Sequence, residues 1–243
     1  MLKRAIDFFA SLVGLLFLSP LILPVCFLVW VQDWHSPFYI PQRVGKHGRL
    51  FSMLKLRSMV VNADKSGVDS TRTDDNRSTP VGKFIRACKL DEVSQLYNVL
   101  LGDMSLVGPR PNVKRETDLY SSEEKKLLSV KPGITDFSSI VFSDLASILN
   151  DHEDANIAYN QLVRPWKSRL GLIYIQHQSF FLDIKLILLT ILCLFSKKKA
   201  LVYVYDILKH LQVSEDVLAV VKRDKPLVPS IPPGLTEIVQ SRQ

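Results

Sequence analysis

The sequence predicts an α/β protein, mostly helical, held on one side of a membrane as a monotopic protein, and three observations support this. An apolar run from Ala5 to Val31 carries Asp7 as its only charge. The turn Gly45-Lys46-His47-Gly48 separates two β-rich stretches. Apolar residues then recur at helical spacing from Val81 to Leu101. The expected organisation is a re-entrant membrane helix over 1–34, a domain at the membrane interface over 35–200, and a partly disordered C-terminal extension over 201–243.

The N-terminal run is too long and too evenly apolar for a buried soluble helix, and Cys26-Phe27-Leu28 offers no small-residue cleavage site for a signal peptide. At about 1.5 Å per residue it could cross a hydrocarbon core of roughly 30 Å. Ser19-Pro20 interrupts it at mid-run, and Pro24 follows. Proline lacks the backbone donor and clashes with the preceding turn, so a helix-break-helix is expected, with the Ser19 hydroxyl meeting the freed backbone. Basic residues flank both ends: Lys3 and Arg4 before, Arg43, Lys46, Arg49, Lys55 and Arg57 after. A simple span would put one flank on the wrong side, whereas a segment that enters and leaves on the cytoplasmic face satisfies both.

Phe38-Tyr39-Ile40 and Phe51 to Arg57 read as the strands of a β-hairpin. Alternation puts Lys55 and Arg57 on one face, able to grip a phosphate or simply to line a solvated strand edge. Asn62 to Pro80 is polar and reads as a mobile loop or lid. Val81 to Leu101 reads as a helix stopped by Gly102, and Ser105 to Pro111 as a rigid turn containing Pro109 and Pro111. Ser121-Ser122-Glu123-Glu124 looks like a capped helix start. Pro132-Gly133 opens a β-rich stretch from Ile134 to Phe142, and Asp151 to Tyr174 reads as helix. Ile184 to Phe195 is too short to span. Closed by Lys197, Lys198 and Lys199, it suits an interfacial helix, with a core helix as the alternative. The proline-rich tail from Pro226 is expected to be weakly ordered.

The chain has 243 residues, with 31 Lys and Arg against 24 Asp and Glu and a formal net charge of +7. That excess suits anionic lipid or phosphorylated small molecules. A nucleic-acid role is disfavoured because the cations are not interleaved with an aromatic stacking platform. Cys26, Cys88 and Cys193 lie far apart without CxxC spacing, and no Cys/His cluster has zinc-ligand spacing.

Arg86, Lys89, Asp91 and Glu92 form the densest polar group in the Val81–Leu101 stretch. Adjacent helical residues point about 100° apart, so Asp91 and Glu92 cannot face one atom squarely but can divide labour. One carboxylate could attack while the other binds Mg²⁺ or a proton. The competing reading has Asp91 capping a helix that begins at Glu92, with the cations in solvent.

Lys89 to Pro111, read as KLDEVSQLYNVLLGDMSLVGPRP, resembles the signature of the bacterial sugar transferase family, the monotopic phosphoglycosyl transferases. Lys3-Arg4 with Asp7, Ser19-Pro20, Gln42 to Gly45, Lys55 to Met59, Lys131 to Thr135 and Leu182 to Lys185 resemble family segments in the same order, from residue 1 to about 195. The resemblance implies an enzyme of the bacterial inner membrane with its active site on the cytoplasmic face. Its partners would be a UDP-sugar, polyprenyl phosphate and the bilayer, with a homodimer left open.

On that resemblance Asp91 is the nucleophile and Glu92 helps hold Mg²⁺, giving Asp91 and Glu92 as the metal carboxylates. Lys55, Arg57, Arg86 and Arg110 are the phosphate-binding cations, with Pro109 and Pro111 framing Arg110, and Asp183 matches a family aspartate that could equally be structural. Asp136 to Ile140 departs from the family's Gly-Trp-Ala-Gln and leaves the donor sugar open. Two rivals predict different behaviour: a non-catalytic membrane scaffold tolerates loss of Asp91, and a transferase using direct ternary attack never carries the phospho-sugar.

Overall fold

A computed structural model of the chain describes residues 2–63, 75–150 and 152–240. It is predominantly helical, with three two-stranded ladders. Helix α1 spans Leu2–Asp33 as one continuous helix, so the expected division into two helices at Ser19-Pro20 is not seen. The physical reason lies in the serine. Pro20 leaves Leu16 O without its helical donor, and the Ser19 hydroxyl donates to that carbonyl at 2.8 Å.

Both ends of α1 are tied to the same body. At the N-terminal end the buried Asp7 carboxylate accepts from Ser105 Oγ at 2.8 Å and Leu106 N at 3.0 Å. Arg4 donates to Val99 O and Leu100 O at 2.5 and 2.7 Å, putting a cation on the C-terminal carbonyls of another helix. Lys3 pairs with Asp183, which also accepts from Tyr174 at 2.6 Å, so Asp183 serves as an anchor. At the other end Val25 and Val29 pack with Leu56, Ile85 and Leu90. Between them, residues 12–24 contain no buried side chain.

Strands β1 (Phe38–Tyr39) and β4 (Lys55–Leu56) pair antiparallel outside a second antiparallel pair, β2 (Gln42–Val44) with β3 (Leu50–Ser52). The expected hairpin is therefore present as two successive rungs. Its turn uses positive φ at His47 and Gly48. Of the polar loop, residues 64–74 lie outside the described residues, and Val60 N donates to Arg77 O at its base.

The helix expected over Val81–Leu101 is three pieces: α2 (Pro80–Ala87), α3 (Leu90–Val93) and α4 (Leu96–Leu101). Lys89 is left-handed (φ 53°) and turns the chain between α2 and α3. Gly102 ends α4 at φ 96°, as expected of a glycine stop. Beyond it, β5 (Ser105–Val107) pairs in parallel with β6 (Gly133–Thr135), a ladder not anticipated from the sequence. The two glycines let these strands' ends cross: a Cβ on Gly133 would lie 2.1 Å from Gly108 N. Only the first residues of the β-rich stretch are strand, because Asp136 caps Ser139 N and starts α6 (Phe137–Val141).

After α5 (Lys114–Asp118), the cap read at Ser121–Glu124 forms reciprocally, Ser121 Oγ accepting from Glu124 N and Glu124 from Ser121 N. It opens a 3₁₀ segment, Glu124–Ser129, rather than an α-helix. The long helix expected from Asp151 starts later and is uneven. It comprises α8 (Ala155–Ala158), a π turn over Tyr159–Val163, and α9 (Arg164–His177), preceded by α7 (Leu145–Asn150).

Helix α10 (Phe180–Phe195) buries Leu182, Leu186 and Leu189 in the main core and leaves Phe181, Leu188 and Phe195 bare, so one face is core and the other is exposed. Helices α11 (Lys197–His210) and α12 (Glu215–Lys222) share the main core with α6, α9 and α10. The tail beyond Pro226 is not loosely held as expected: Ser230 N bonds Gln161 O, Arg169 bonds Ile231 O, and Ser121 bonds Pro233 O. The strap is fastened from both sides, Ser230 donating its N–H while Ile231 O and Pro233 O accept.

Candidate active site

The break at Lys89 sets the site. It places Asp91 and Glu92 in the first turn of α3, and neither side chain caps it, so the capping role weighed for Asp91 is absent. Downstream, Ser94 and Asn98 hold the segment of chain that faces them. Ser94 Oγ accepts from Leu56 N at 3.1 Å and donates toward Leu54 O at 3.1 Å. Asn98 accepts from Leu54 N and donates to Ser52 O, both at 2.8 Å.

Lys55 is thus fastened on either side, and its ammonium meets Asp91 Oδ2 at 3.1 Å. The second carboxylate takes a different cation: Arg110 Nη1 lies 2.9 Å from Glu92 Oε1. Arg110 comes from the Pro109-Arg110-Pro111 turn, which the Gly108–Gly133 crossing presses against the ladder. Val44 N donates to Asn112 O at 3.0 Å, bringing the hairpin alongside, and Pro109, Pro111, Val44, Gly45 and Tyr120 line a small cavity there. Glu92, with Asp91 and Asp136 adding, holds the Arg110 pKa up against its burial.

Three chain segments therefore deliver two carboxylates, each facing one cation. The side chains of Asp91 and Glu92 keep 15% and 20% of their surface exposed, so a solute can reach them. An anionic ligand would compete for the same cations and arrive at the carboxylates already neutralised.

Two of the predicted cations lie elsewhere. Strand β4 ends at Leu56, and Arg57 turns to Asp33 at the end of α1 (2.5 and 2.6 Å), with Ser36 O at 2.8 Å. It closes the C-terminal end of α1 onto the body and does not share a face with Lys55. Arg86, on the last turn of α2, makes no ion pair with the dyad among the described residues, and its charge is felt by Asp75.

Among the described residues no cluster of three or more His, Cys, Asp or Glu side chains could hold a metal ion. Asp91 and Glu92 are the carboxylates that would hold Mg²⁺, an ion commonly bound by one or two carboxylates and completed by phosphate oxygens and water.

Sequence reasoning missed the positioning pair Ser94 and Asn98. They sit four apart, and polar residues at that spacing on a largely apolar stretch were the available signal. It also missed Asp136, whose buried carboxyl is bound by Ser138 Oγ, Ser139 N and Ser139 Oγ, each at 2.8 Å. Burial pushes the Asp136 pKa up, and those bonds oppose the rise.

The family model described as bacterial sugar transferase matches residues 1–197. The galactosyl transferase CpsE of Streptococcus agalactiae serotype III is 37% identical over 207 residues, covering 78% of this chain and 41% of that protein. The undecaprenyl-phosphate galactose phosphotransferase of Salmonella typhimurium is 41% identical over 149 residues, covering 55% and 31%. A UDP-N-acetylgalactosamine-undecaprenyl-phosphate N-acetylgalactosaminephosphotransferase of Aeromonas hydrophila is 33% identical over 193 residues, covering 78% and 43%. The chain thus spans less than half the length of these relatives.

Proposed function

This chain belongs to the bacterial sugar transferase family, and from that premise we propose that it transfers a sugar 1-phosphate from a UDP-sugar to a polyprenyl phosphate. The observation that carries the reading is the pairing of Asp91 with Lys55 at 3.1 Å and of Glu92 with Arg110 at 2.9 Å. An anionic nucleophile must approach an anionic diphosphate, and such pairs neutralise both.

In the first step an Asp91 carboxylate oxygen attacks the phosphorus that bears the sugar. The bond from that phosphorus to the bridging oxygen breaks, UMP departs with the electron pair, and Asp91 carries the phospho-sugar as an acyl phosphate. In the second step a phosphate oxygen of the polyprenyl phosphate attacks the same phosphorus and Asp91 leaves as carboxylate. The product is a polyprenyl diphospho-sugar, the first membrane-bound intermediate of a glycan. Lys55 orients Asp91, and Arg110 holds Glu92 beside it. Mg²⁺, held by Asp91 and Glu92, would neutralise diphosphate charge.

The test is UMP release from a panel of UDP-sugars with and without polyprenyl phosphate. A member of the panel should give release that needs both Mg²⁺ and the wild-type dyad. Treatment with a chelator should reduce release to background, and added Mg²⁺ should restore it. Release that persists in excess chelator would remove Mg²⁺ from the scheme.

A polyprenyl acceptor is confined to the bilayer, so the dyad must sit at its surface. The attachment of Lys3, Arg4 and Asp7 at one end of α1 and of Asp33 at the other to a single body supports both flanks lying on the cytoplasmic face, the part of the re-entrant expectation that a continuous α1 leaves open. The bare middle of α1 and the bare face of α10 are then the lipid-facing surfaces. In a background lacking the native cysteines, Leu2→Cys should react with an impermeant maleimide only after the inner membrane is opened. Labelling from the periplasmic side of intact cells would overturn re-entry.

A further inference from the structure

Lys167 is a charged group under the influence of Arg110 and Glu92 that takes no part in the proposed transfer. It lies on α9 four residues before Gly171, and residues four apart share a helix face. Gly171 fixes where that face points: a Cβ there would lie 3.7 Å from Pro109 Cβ and 2.8 Å from Leu127. Tyr174 Oη donates to Val107 O and Gly171 meets Pro109, so one turn earlier on the same face Lys167 falls beside the following part of the turn. Its ammonium lies 5.3 Å from the centroid of the Tyr159 ring, and Tyr159 opens the π turn that precedes α9.

Among the described residues this ammonium has no ion pair or hydrogen bond. Arg110, Asp136, Glu116 and Glu92 all act on it electrostatically. The Asp136 carboxylate is already engaged by Ser138 and Ser139, and Glu92 by Arg110. Lys167 thus stands on the helix face that meets the Pro109-Arg110-Pro111 turn, within electrostatic reach of Arg110, and a doubly charged anion there would relieve their repulsion. Burial, followed by the repulsion of Arg110, lowers the Lys167 pKa to about 8.

We propose that Lys167 and Arg110 form a binding subsite for the phosphate that leaves with the nucleotide. The inference rests on the transfer reaction proposed above. A phosphate group could also come from the lipid acceptor, but position favours the nucleotide. The end of α9 nearest the membrane helix is marked by Tyr174, whose hydroxyl is 3.1 Å from Lys3 Nζ. Lys167 stands seven residues back from it, about 10 Å along the helix axis. As the phosphorus–oxygen bond breaks, charge grows on the departing UMP phosphate, and a fixed cation there favours the transition state over the bound substrate.

The test uses the full chain in lipid nanodiscs, with Lys167→Met and Lys167→Arg beside wild type, each first shown to be folded by its thermal transition. UMP and a short isoprenyl phosphate are titrated calorimetrically, and kcat and KM are measured with the UDP-sugar turned over. Lys167→Met should weaken UMP binding about tenfold and leave isoprenyl phosphate binding within about twofold, and Lys167→Arg should recover most of the loss. Between pH 7 and pH 9.5 wild-type UMP affinity should fall, and that of Lys167→Arg should not. Because Arg110, Asp136, Glu116, Glu92 and Tyr159 are unchanged in the variant, the difference isolates Lys167.

Unaltered UMP affinity in a folded Lys167→Met protein would overturn the proposal, as would a loss confined to isoprenyl phosphate. If Lys167→Met melts early, Lys167→Arg decides by its flat or falling pH profile. Wild type that binds UMP but releases none from any UDP-sugar would sink the reaction and leave this phosphate site standing.

Discussion

Asp91→Asn should lower UMP release by at least about a thousandfold, the scale seen when a nucleophile is removed from an otherwise intact site. The amide nearly matches the carboxylate in shape, so the loss reports chemistry rather than packing. The surroundings are expected to hold, because Ser94 and Asn98 fasten residues 52–56 through contacts that do not involve the Asp91 side chain. Thermal unfolding within about 3 °C of wild type would verify this.

A second readout separates the covalent route from direct ternary attack. Wild type given a UDP-sugar labelled in the sugar-bearing phosphate, without acceptor, should retain label on the protein, and Asp91→Asn should retain none. Glu92→Gln should keep some label, because its carboxylate supports the attack without making it. Near wild-type turnover by Asp91→Asn would refute the mechanism. Turnover that depends on Asp91 but leaves no label on the protein would favour direct attack.

Features set by neighbours in sequence were legible before the structure. The glycine-bounded hairpin turn, the Gly102 stop and the reciprocal cap at Ser121 and Glu124 are decided within a few residues. Ser19 answering Pro20 is local as well, and the expected hydroxyl bond is present, but it accompanies a continuous α1 where a break was expected.

What stayed hidden depends on partners distant in the chain. The β5–β6 ladder joins Ser105 to Gly133, and neither stretch alternates long enough to announce a strand. Arg57 and Lys55 share a parity that implies a common face, yet the strand ends between them and Asp33 claims the arginine. Lys89 has no intrinsic preference for a left-handed conformation, so tertiary packing determines the kink that presents Asp91 and Glu92. The local pattern marked Asp91 and Glu92 as a dense polar group but left a helix cap open, and only the family resemblance singled them out as a site. Their ion partners were only partly legible: Lys55 and Arg110 meet the carboxylates, whereas Arg57 and Arg86 are directed elsewhere.

Arg164→Met should destabilise the body by about 3–5 kcal/mol, the usual cost of leaving one half of a buried ion pair uncompensated. The Glu124 side chain is fully buried and that of Arg164 is 6% exposed. Arg164 donates to the carboxylate at 3.1 and 2.7 Å, with Ser168 Oγ at 2.8 Å and Ser121 N at 3.2 Å completing its shell. Methionine fills much of the space but offers no proton, so two of the four donors disappear while the charge stays enclosed. For a chain of this size the deficit corresponds to a melting temperature lower by roughly 10 °C.

Changing both partners, Arg164→Met with Glu124→Leu, should regain part of the loss because no orphaned charge remains; a double-mutant cycle measures how much. The site should respond as well, since Arg164 begins the helix carrying Lys167, and Ser121 beside Glu124 fastens the C-terminal strap through Pro233 O at 2.5 Å. A single variant that melts within about 2 °C of wild type would show that the pair does not hold this junction together.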